Sequence, residues 1–209
     1  SLVYNPRLLL VAGYDPGVRA GALILGQQGF DGRLFITDEL ITSGGTEQVV
    51  KGKLMPLLRN RYSQLDWQQN LLVVPDPAAK SRAPTNERTV VQTLKGLKLK
   101  TDTVDNNTTL QPRIDAIEHF TTRLVDGKPA LVIDPRCKVL IRALSSGWRY
   151  TVTRKGDAAS VEPEKNNWSH PADASCYLAR YFHKGHQRKA RDSQRRLHHV
   201  RPTNPYVLG

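Results

Sequence analysis

Asp15, Asp76 and Asp173 stand where one active site would need three carboxylates. Asp15 ends the apolar run Leu8-Leu-Leu-Val-Ala-Gly-Tyr-Asp15 and opens a Pro-Gly turn. Asp76 ends Leu71-Leu-Val-Val-Pro-Asp76 in the same way, and Asp173 opens an apolar helical stretch after Ser169-His-Pro-Ala. Strand ends and helix starts are where sheet-based enzymes place their chemistry. Three carboxylates without a Cys or His cluster suit a hard, oxygen-seeking cation, Mg²⁺ or Mn²⁺. Two such ions about 3.5–4 Å apart can activate a water, neutralise a leaving oxygen and stabilise the transition state of phosphodiester hydrolysis. Asp15, on the first strand, is then the expected shared ligand, with Asp76 on one ion and Asp173 on the other. The plain alternative is structural. Asp-Pro starts turns, and an Asp in the first turn of a helix is favoured by the dipole. Asp134-Pro135 after Ala130-Leu-Val-Ile repeats the pattern outside the triad and reads as a turn residue, or at most an outer partner.

Around these carboxylates lie weaker candidates. His170, three residues before Asp173, is either an outer partner that donates to a phosphate or to a metal-bound water, or an ordinary helix-start histidine. Lys80 and Arg82 follow Asp76, Arg149, Arg154 and Lys155 fall on an expected hairpin, and Lys165 precedes the last helix. Each alone reads as a solvated charge; as a group they are the candidate DNA contacts, reaching phosphates rather than bases. Asp38 and Glu39, late in the third strand, either face the site or lie on an exposed edge, the edge being preferred. Cys137 and Cys176 make no disulfide framework or zinc spacing and read as small buried residues. No Walker-type Gly-rich loop or nucleophile signature is present.

Composition points the same way. Lys and Arg outnumber Asp and Glu by 31 to 19, for a net charge of +12. A basic surface favours polyanions through counterion release. Half of that charge lies between Lys184 and Arg201, where seven Lys or Arg face one acid, Asp192. With 209 residues, 39% of them hydrophobic, the chain has enough apolar material for a core. No apolar run approaches the roughly 20 residues of a membrane span. No secretory signal is expected, and the cysteine usage suggests a reducing, cytoplasmic setting.

The elements that must position these residues follow from periodicity. Leu8–Ala12, Ala20–Gly26 and Arg33–Leu40 read as three strands of an antiparallel meander, the third approached through an Asp31-Gly32 hairpin turn. Thr46–Tyr62 has helical spacing, with Thr46 as N-cap and a kink or break at Pro56. Leu71–Val74 reads as a buried parallel strand. Helices are expected over Thr85–Leu97 and over Pro112–Val125, the second with Ile114, Ile117, Phe120 and Leu124 along one side. Short strands are expected at Leu97–Val104 and Ala130–Ile133, and a helix from Cys137. Gly147–Val161 predicts a protruding basic hairpin, and Asp173–Phe182 the last helix, with Pro171 in its first turn. Residues 184–209 form a basic tail, an exposed helix or a segment that orders on meeting a partner. The whole predicts an α/β domain over residues 1–183, a mixed sheet flanked by helices with an inserted β-hairpin. A three-strand meander joined through a helix to a parallel fourth strand is the layout of the ribonuclease H fold. In that layout the three carboxylates fall on the central strand, its neighbour and the last helix.

An ordered set of segments resembles the C-terminal nuclease domain of the large terminase subunit, the DNA-packaging motor of tailed bacteriophages. They are Gly13-Tyr-Asp15-Pro-Gly17, Gly32-Arg-Leu-Phe-Ile-Thr-Asp-Glu-Leu40, Val74-Pro-Asp76-Pro-Ala78, Asn86-Glu-Arg-Thr89, Pro112-Arg-Ile-Asp-Ala-Ile117 and Pro135-Arg-Cys-Lys138. The most specific is Glu164-Lys-Asn-Asn-Trp-Ser-His170 running into Ala172-Asp-Ala174. The resemblance covers roughly four fifths of the chain. It implies a ribonuclease H-like, two-metal endonuclease that cuts concatemeric viral DNA at the start and end of packaging, with Asp15, Asp76 and Asp173 at its metal positions. It also implies partners: double-stranded DNA, an N-terminal ATPase domain of the same polypeptide, the portal protein and the small terminase subunit. The expected location is the host cytoplasm, in the packaging complex and not in the mature virion. Portal docking by Lys184–Gly209 is an expectation of the same kind. The rivals are another ribonuclease H-like nuclease, such as a resolvase or transposase core, and a non-enzymatic DNA-binding module with structural carboxylates.

Overall fold

The first strand is buried on both faces, and its alternation decides where everything else can sit. The computed structural model describes residues 2–80, 88–102, 109–152 and 158–199, without the side chains of 79–80, 151–152, 158–162 and 186–199. Strand β1 (Leu10–Asp15) pairs antiparallel with β2 (Gly21–Gln28) and parallel with β4 (Leu71–Pro75). Leu10, Ala12 and Tyr14 join one apolar cluster with Leu23, Leu25, Leu54 and Leu58. Val11 joins the other, with Ile24, Val74, Phe120 and Leu178. Side chains alternate along a strand, so Gly13 and Asp15 share the face of Val11. In β4 the same rule puts Leu71 and Val73 in the first cluster and Leu72 and Val74 against the second. Asp76, just past the strand end, continues the second face.

Strand β3 (Leu34–Thr42) completes the expected meander with β2, and Gly32 takes the positive φ of 82° that the β2–β3 turn requires. Two short strands add in parallel: β5 (Lys100–Thr101) beside β4 and β8 (Leu131–Ile133) beside β3. The sheet order is β5-β4-β1-β2-β3-β8, so β1 is interior and its fourth-strand neighbour is parallel, as expected.

One face is covered by α1 (Thr46–Val49), a π-helical turn (Val50–Leu54), α2 (Met55–Arg61), the short α3 (Trp67–Asn70) and α4 (Val90–Gly96). Pro56 does not break this segment. It lies in the first turn of α2, directly after the π turn. Thr46 is not the N-cap; Gly45 is, and the Thr46 hydroxyl accepts from Tyr14 Oη at 3.3 Å. Thr89 and Gln92 form a reciprocal capping box on α4.

The other face carries α5 (Gln111–Thr122), α6 (Lys138–Arg142) with a π turn (Ala143–Gly147), and α7 (Ser169–His199). Helix α5 stops short of the expected Val125. Leu124 lies instead in a hairpin of β6 (Leu124–Val125) and β7 (Lys128–Pro129), 64% exposed rather than packed. Asp126 and Gly127 both have positive φ, 49° and 73°, and this hairpin-turn pair overrides the apolar spacing. The inserted hairpin is β9 (Tyr150–Val152) with β10 (Ala158–Pro163). The basic stretch 184–199 has helical backbone continuous with α7.

Helix α7 packs on β1, β2 and α5, and residues 171–180 are buried throughout. Its backbone comes close at Gly13, where a Cβ would fall 2.0 Å from the Ala174 carbonyl oxygen. Gly13→Ala must therefore push α7 away from β1. The expected cost is about 1–3 kcal/mol, as for other overpacked sites. Urea denaturation measures it, and an unchanged midpoint would mean that the helix is not seated on the strand as described.

Candidate active site

The close seating of α7 brings residues far apart in sequence to the ends of β1 and β4. Asp15 is the last residue of β1 and faces α7. Asp76 follows β4, its backbone N–H donating to the Tyr14 carbonyl at 2.9 Å, which continues the parallel ladder one step beyond the strands. Its carboxylate accepts from Ala78 N at 2.9 Å, an Asx-type turn that starts the 3₁₀ turn Pro77–Lys80. Asp173 is in the first turn of α7. That helix starts where it does because Asn166 and Ser169 organise the preceding loop. Asn166 Oδ1 accepts from Trp168 N at 2.9 Å, and Ser169 Oγ accepts from Asn166 N at 3.0 Å. Pro171 falls where a missing N–H costs no intrahelical bond.

Asp15, Asp76 and Asp173 line one open cavity of about 520 Å³, with Arg113, Lys165, Asn166, His170 and Tyr177 also in its wall. The His170 ring contacts Asp15, Nδ1 to Oδ2, at 2.7 Å. Lys165 Nζ lies 3.4 Å from Asp173 Oδ2, and Arg113 Nη1 3.7 Å from Asp173 Oδ1. Arg113 is itself braced, donating to Tyr177 Oη at 2.6 Å with its guanidinium over the Tyr177 ring. Sequence reasoning did not single out Arg113 or Tyr177. Arg113 shows only as the polar residue inside Pro112-Arg-Ile, and its role depends on α5 packing against α7.

Electrostatics make the cavity costly for the protein alone. Burial is the main reason the Asp15 carboxyl is pushed up to about 6; repulsion from Asp173 and Asp76 adds to it, and the contact with His170 opposes it. Asp173 is raised too, first by burial, with Lys165 and Arg113 opposing and Asp76 adding. Burial also pushes the Tyr177 hydroxyl well up, which keeps it neutral. Asp173 Oδ1 is buried without a hydrogen-bond partner. Among the described residues no three His, Cys, Asp or Glu side chains are already gathered as an ion cage. The donor set still fits a hard cation: all oxygen, mutually repelling, and with one buried lone-pair group left unsatisfied.

The remaining sequence candidates are placed as follows. Lys165 lines the carboxylate cavity. Arg149 is exposed and lines a smaller pocket next to it. Lys80 ends the turn after Asp76, its side chain outside the described residues, as are Arg82, Arg154 and Lys155 altogether. Asp38 and Glu39 neither face the site nor form an exposed edge. Asp38 is buried and paired with Arg61 Nε at 2.8 Å and with the Tyr62 hydroxyl. Glu39 accepts from the Val139 and Leu140 backbone N–H groups at 3.0 and 2.7 Å and so caps α6. Asp134 starts the turn in which its carbonyl accepts from Cys137 N at 2.9 Å, and it is fully buried there beside Asp38; Cys137 and Cys176 are buried and free. No helix among the described residues is long and apolar enough to cross a membrane.

No protein-family model matches the sequence, and no curated protein does. Solved structures do resemble it. The nuclease domain of the phage P22 large terminase aligns with a TM-score of 0.58 at 11% identity, over 84% of this chain and 82% of that one. The large terminase nuclease from thermophilic phage G20c, with bound magnesium, aligns with a TM-score of 0.51 at 16% identity, over 86% and 83%. The yeast mitochondrial Holliday junction resolvase Ydc2 aligns at 0.49 and 10% identity, over 87% and 82%. Large terminase nuclease domains of phages SPP1 and P74-26 are further structural neighbours. The chain has a ribonuclease H-like α/β fold, a mixed sheet flanked by helices.

The raised Asp15 carboxyl has a measurable consequence. Its pKa in the folded protein, about 6, lies above the ordinary 3.8. The stability it contributes is complete below about pH 4 and is lost as pH rises through 6. In metal-free buffer, Asp15→Asn should gain on the wild type by about 2 kcal/mol between pH 4.5 and pH 7.5. Thermal melting at the two pH values tests this; parallel behaviour would mean that Asp15 sits in an ordinary solvated setting.

Proposed function

We propose that the chain is a metal-dependent DNA endonuclease that cuts concatemeric viral DNA during genome packaging. The observation that carries this is the convergence of Asp15, Asp76 and Asp173, with Arg113, Lys165 and His170, on one cavity at the ends of β1 and β4. The basic chain around it favours a polyanion. The fold shared with terminase nuclease domains, one of them holding magnesium, supports the choice of substrate and ion.

In this reading Asp15, Asp76 and Asp173 hold two divalent ions, Mg²⁺ or Mn²⁺, with Asp15 shared. When bound, such ions activate a water and neutralise charge on the reacting phosphate. The chain's own residues do the rest. His170 fixes the rotamer of Asp15 through Oδ2. Arg113, held by Tyr177, presents a fixed guanidinium to a phosphate oxygen entering beside Asp173. Lys165, 74% exposed at its side chain, is free to leave Asp173 for a phosphate. Partners of the same reading are double-stranded DNA, an ATPase domain of the same polypeptide, the portal protein and the small terminase subunit. The place of action is the packaging complex in the host cytoplasm. The basic residues 184–209 are a portal-docking tail following the nuclease body of residues 1–183.

Plasmid cleavage tests the reading directly. Mg²⁺ or Mn²⁺ should support nicking that EDTA abolishes, and Asp15→Asn, Asp76→Asn and Asp173→Asn should each lower the rate by about a hundred- to a thousandfold, as expected when electrostatic stabilisation of the transition state is removed. Cleavage that survives Asp15→Asn, or persists in EDTA, would sink it. DNA binding without cleavage under any ion, even with an ATPase half supplied, would point to a binding module instead.

The same carboxylates bind protons and ions competitively. Stabilisation of the wild type by millimolar Mn²⁺, read as a rise in melting temperature, should therefore be larger at pH 7.5 than at pH 5, below the Asp15 pKa of about 6. An equal or larger rise at pH 5 would remove Asp15 from the ion site.

A further inference from the structure

A second pocket, of about 240 Å³, adjoins the carboxylate cavity and is lined by Arg142, Ser146, Gly147, Arg149, Asn166 and Trp168. Among the described residues its wall holds two guanidinium groups, a hydroxyl and an amide, and no acidic residue. Asn166 belongs to both cavities, so they share a wall.

That wall is built. The π turn Ala143–Gly147 ends on Gly147, where a Cβ would fall 2.4 Å from Trp168 Cγ; only glycine lets the turn lie against the indole. Gly147 O accepts from Asn166 Nδ2 at 3.0 Å, while Asn166 Oδ1 accepts from Trp168 N at 2.9 Å. The amide is thus used at both ends, and it ties the π turn to the loop that starts α7. The Arg142 guanidinium lies over the Trp168 ring, 5.3 Å from its centroid. Stacking of this kind restrains an arginine in the plane in which its N–H fork can meet two phosphate oxygens. Arg149 is held by its backbone, its carbonyl accepting from Glu164 N at 2.8 Å.

On the reading that the carboxylate cavity takes the scissile phosphodiester, we infer that this pocket seats a second backbone phosphate of the same DNA. Arg142 and Arg149 neutralise it, and Trp168 and Asn166 fix its distance from the cutting site. The pocket holds the duplex in register and leaves sequence unread, since it offers contacts to phosphate and not to base edges.

The salt dependence of binding reads this directly. Binding of a fluorescent 20-base-pair duplex is followed by anisotropy in EDTA at several KCl concentrations for the wild type and Arg142→Gln/Arg149→Gln. Each phosphate no longer neutralised should lower the slope of log K against log salt by roughly 0.9, so the double variant should lose about one and bind on the order of tenfold more weakly at 0.1 M salt. Arg59→Gln, an exposed change on α2 across the sheet, should leave the slope unchanged. Equal melting temperatures exclude a folding effect, and Arg142→Lys/Arg149→Lys should restore most of the slope. A double variant with the wild-type slope, in a protein that binds and cuts DNA, overturns this site alone. A wild type that binds no DNA overturns it together with the functional reading beneath it.

Discussion

The contact on which the arrangement depends is backbone against backbone, where α7 lies on β1 at Gly13 and Ala174. Helices normally pack on sheets through their side chains. Removing one Cβ from the interior strand lets the helix sink onto the sheet, and that depth sets the position of its first turn. His170 can then reach Asp15, and Asp173 can face both Asp15 and Asp76. The apolar residues that follow, Cys176, Leu178 and Ala179, are fully buried and hold the helix down. At roughly 1.5–3 kcal/mol for a well-buried aliphatic side chain, that packing is large enough to offset the repulsion of carboxylates gathered at one end.

Basic side chains around the carboxylates soften that repulsion without removing it. Arg113, Lys165 and His170 each meet an acidic oxygen, yet Asp15 and Asp173 are still raised by burial. The protein therefore carries an unsatisfied demand for positive charge where two strand ends and a helix start meet. Such a demand is a physical property of the site, and it is what separates a carboxylate cluster poised for a ligand from one that merely completes a fold.

Much of this was legible along the chain, for identifiable reasons. Asp15 and Asp76 each close an apolar run with Asp-Pro, and period two then determines which face they share. Pro171 marked the start of α7, and Asp31-Gly32 marked the β2–β3 turn. What was hidden is what depends on distant pairing. The Asp15–His170 contact spans 155 positions, and Arg113 reaches Tyr177 across 64. Asp38 read as an edge residue because nothing near it in sequence shows what closes over it. Beyond residues 34–36, which pair with β8, Arg61, Tyr62 and Arg136 close over Asp38 and bury it. Leu124 read as part of a helical stripe because its spacing fitted, while the Asp126-Gly127 turn settled the backbone otherwise.

Asp134 makes the sharpest contrast with the triad, since it ends an apolar strand before proline just as Asp76 does. Its carboxylate accepts from Leu2 N at 2.6 Å, from Arg136 N at 3.0 Å, and from the Arg136 guanidinium through both oxygens at 2.9 Å, with Arg61 3.6 Å away. Both oxygens are satisfied by the protein, and Arg61 and Arg136 carry the charge over to Asp38. Burying such a pair is tolerable because its hydrogen-bonding capacity is filled. Asp173 is as deeply placed, yet it keeps an oxygen with no hydrogen-bond donor and opens onto a cavity wide enough for a phosphate. The local sequence signal is alike for Asp76 and Asp134; what divides them is the fold, which fills both oxygens of Asp134 with donors and leaves Asp76, with Ala78 N as its donor, in the wall of the cavity beside Asp173.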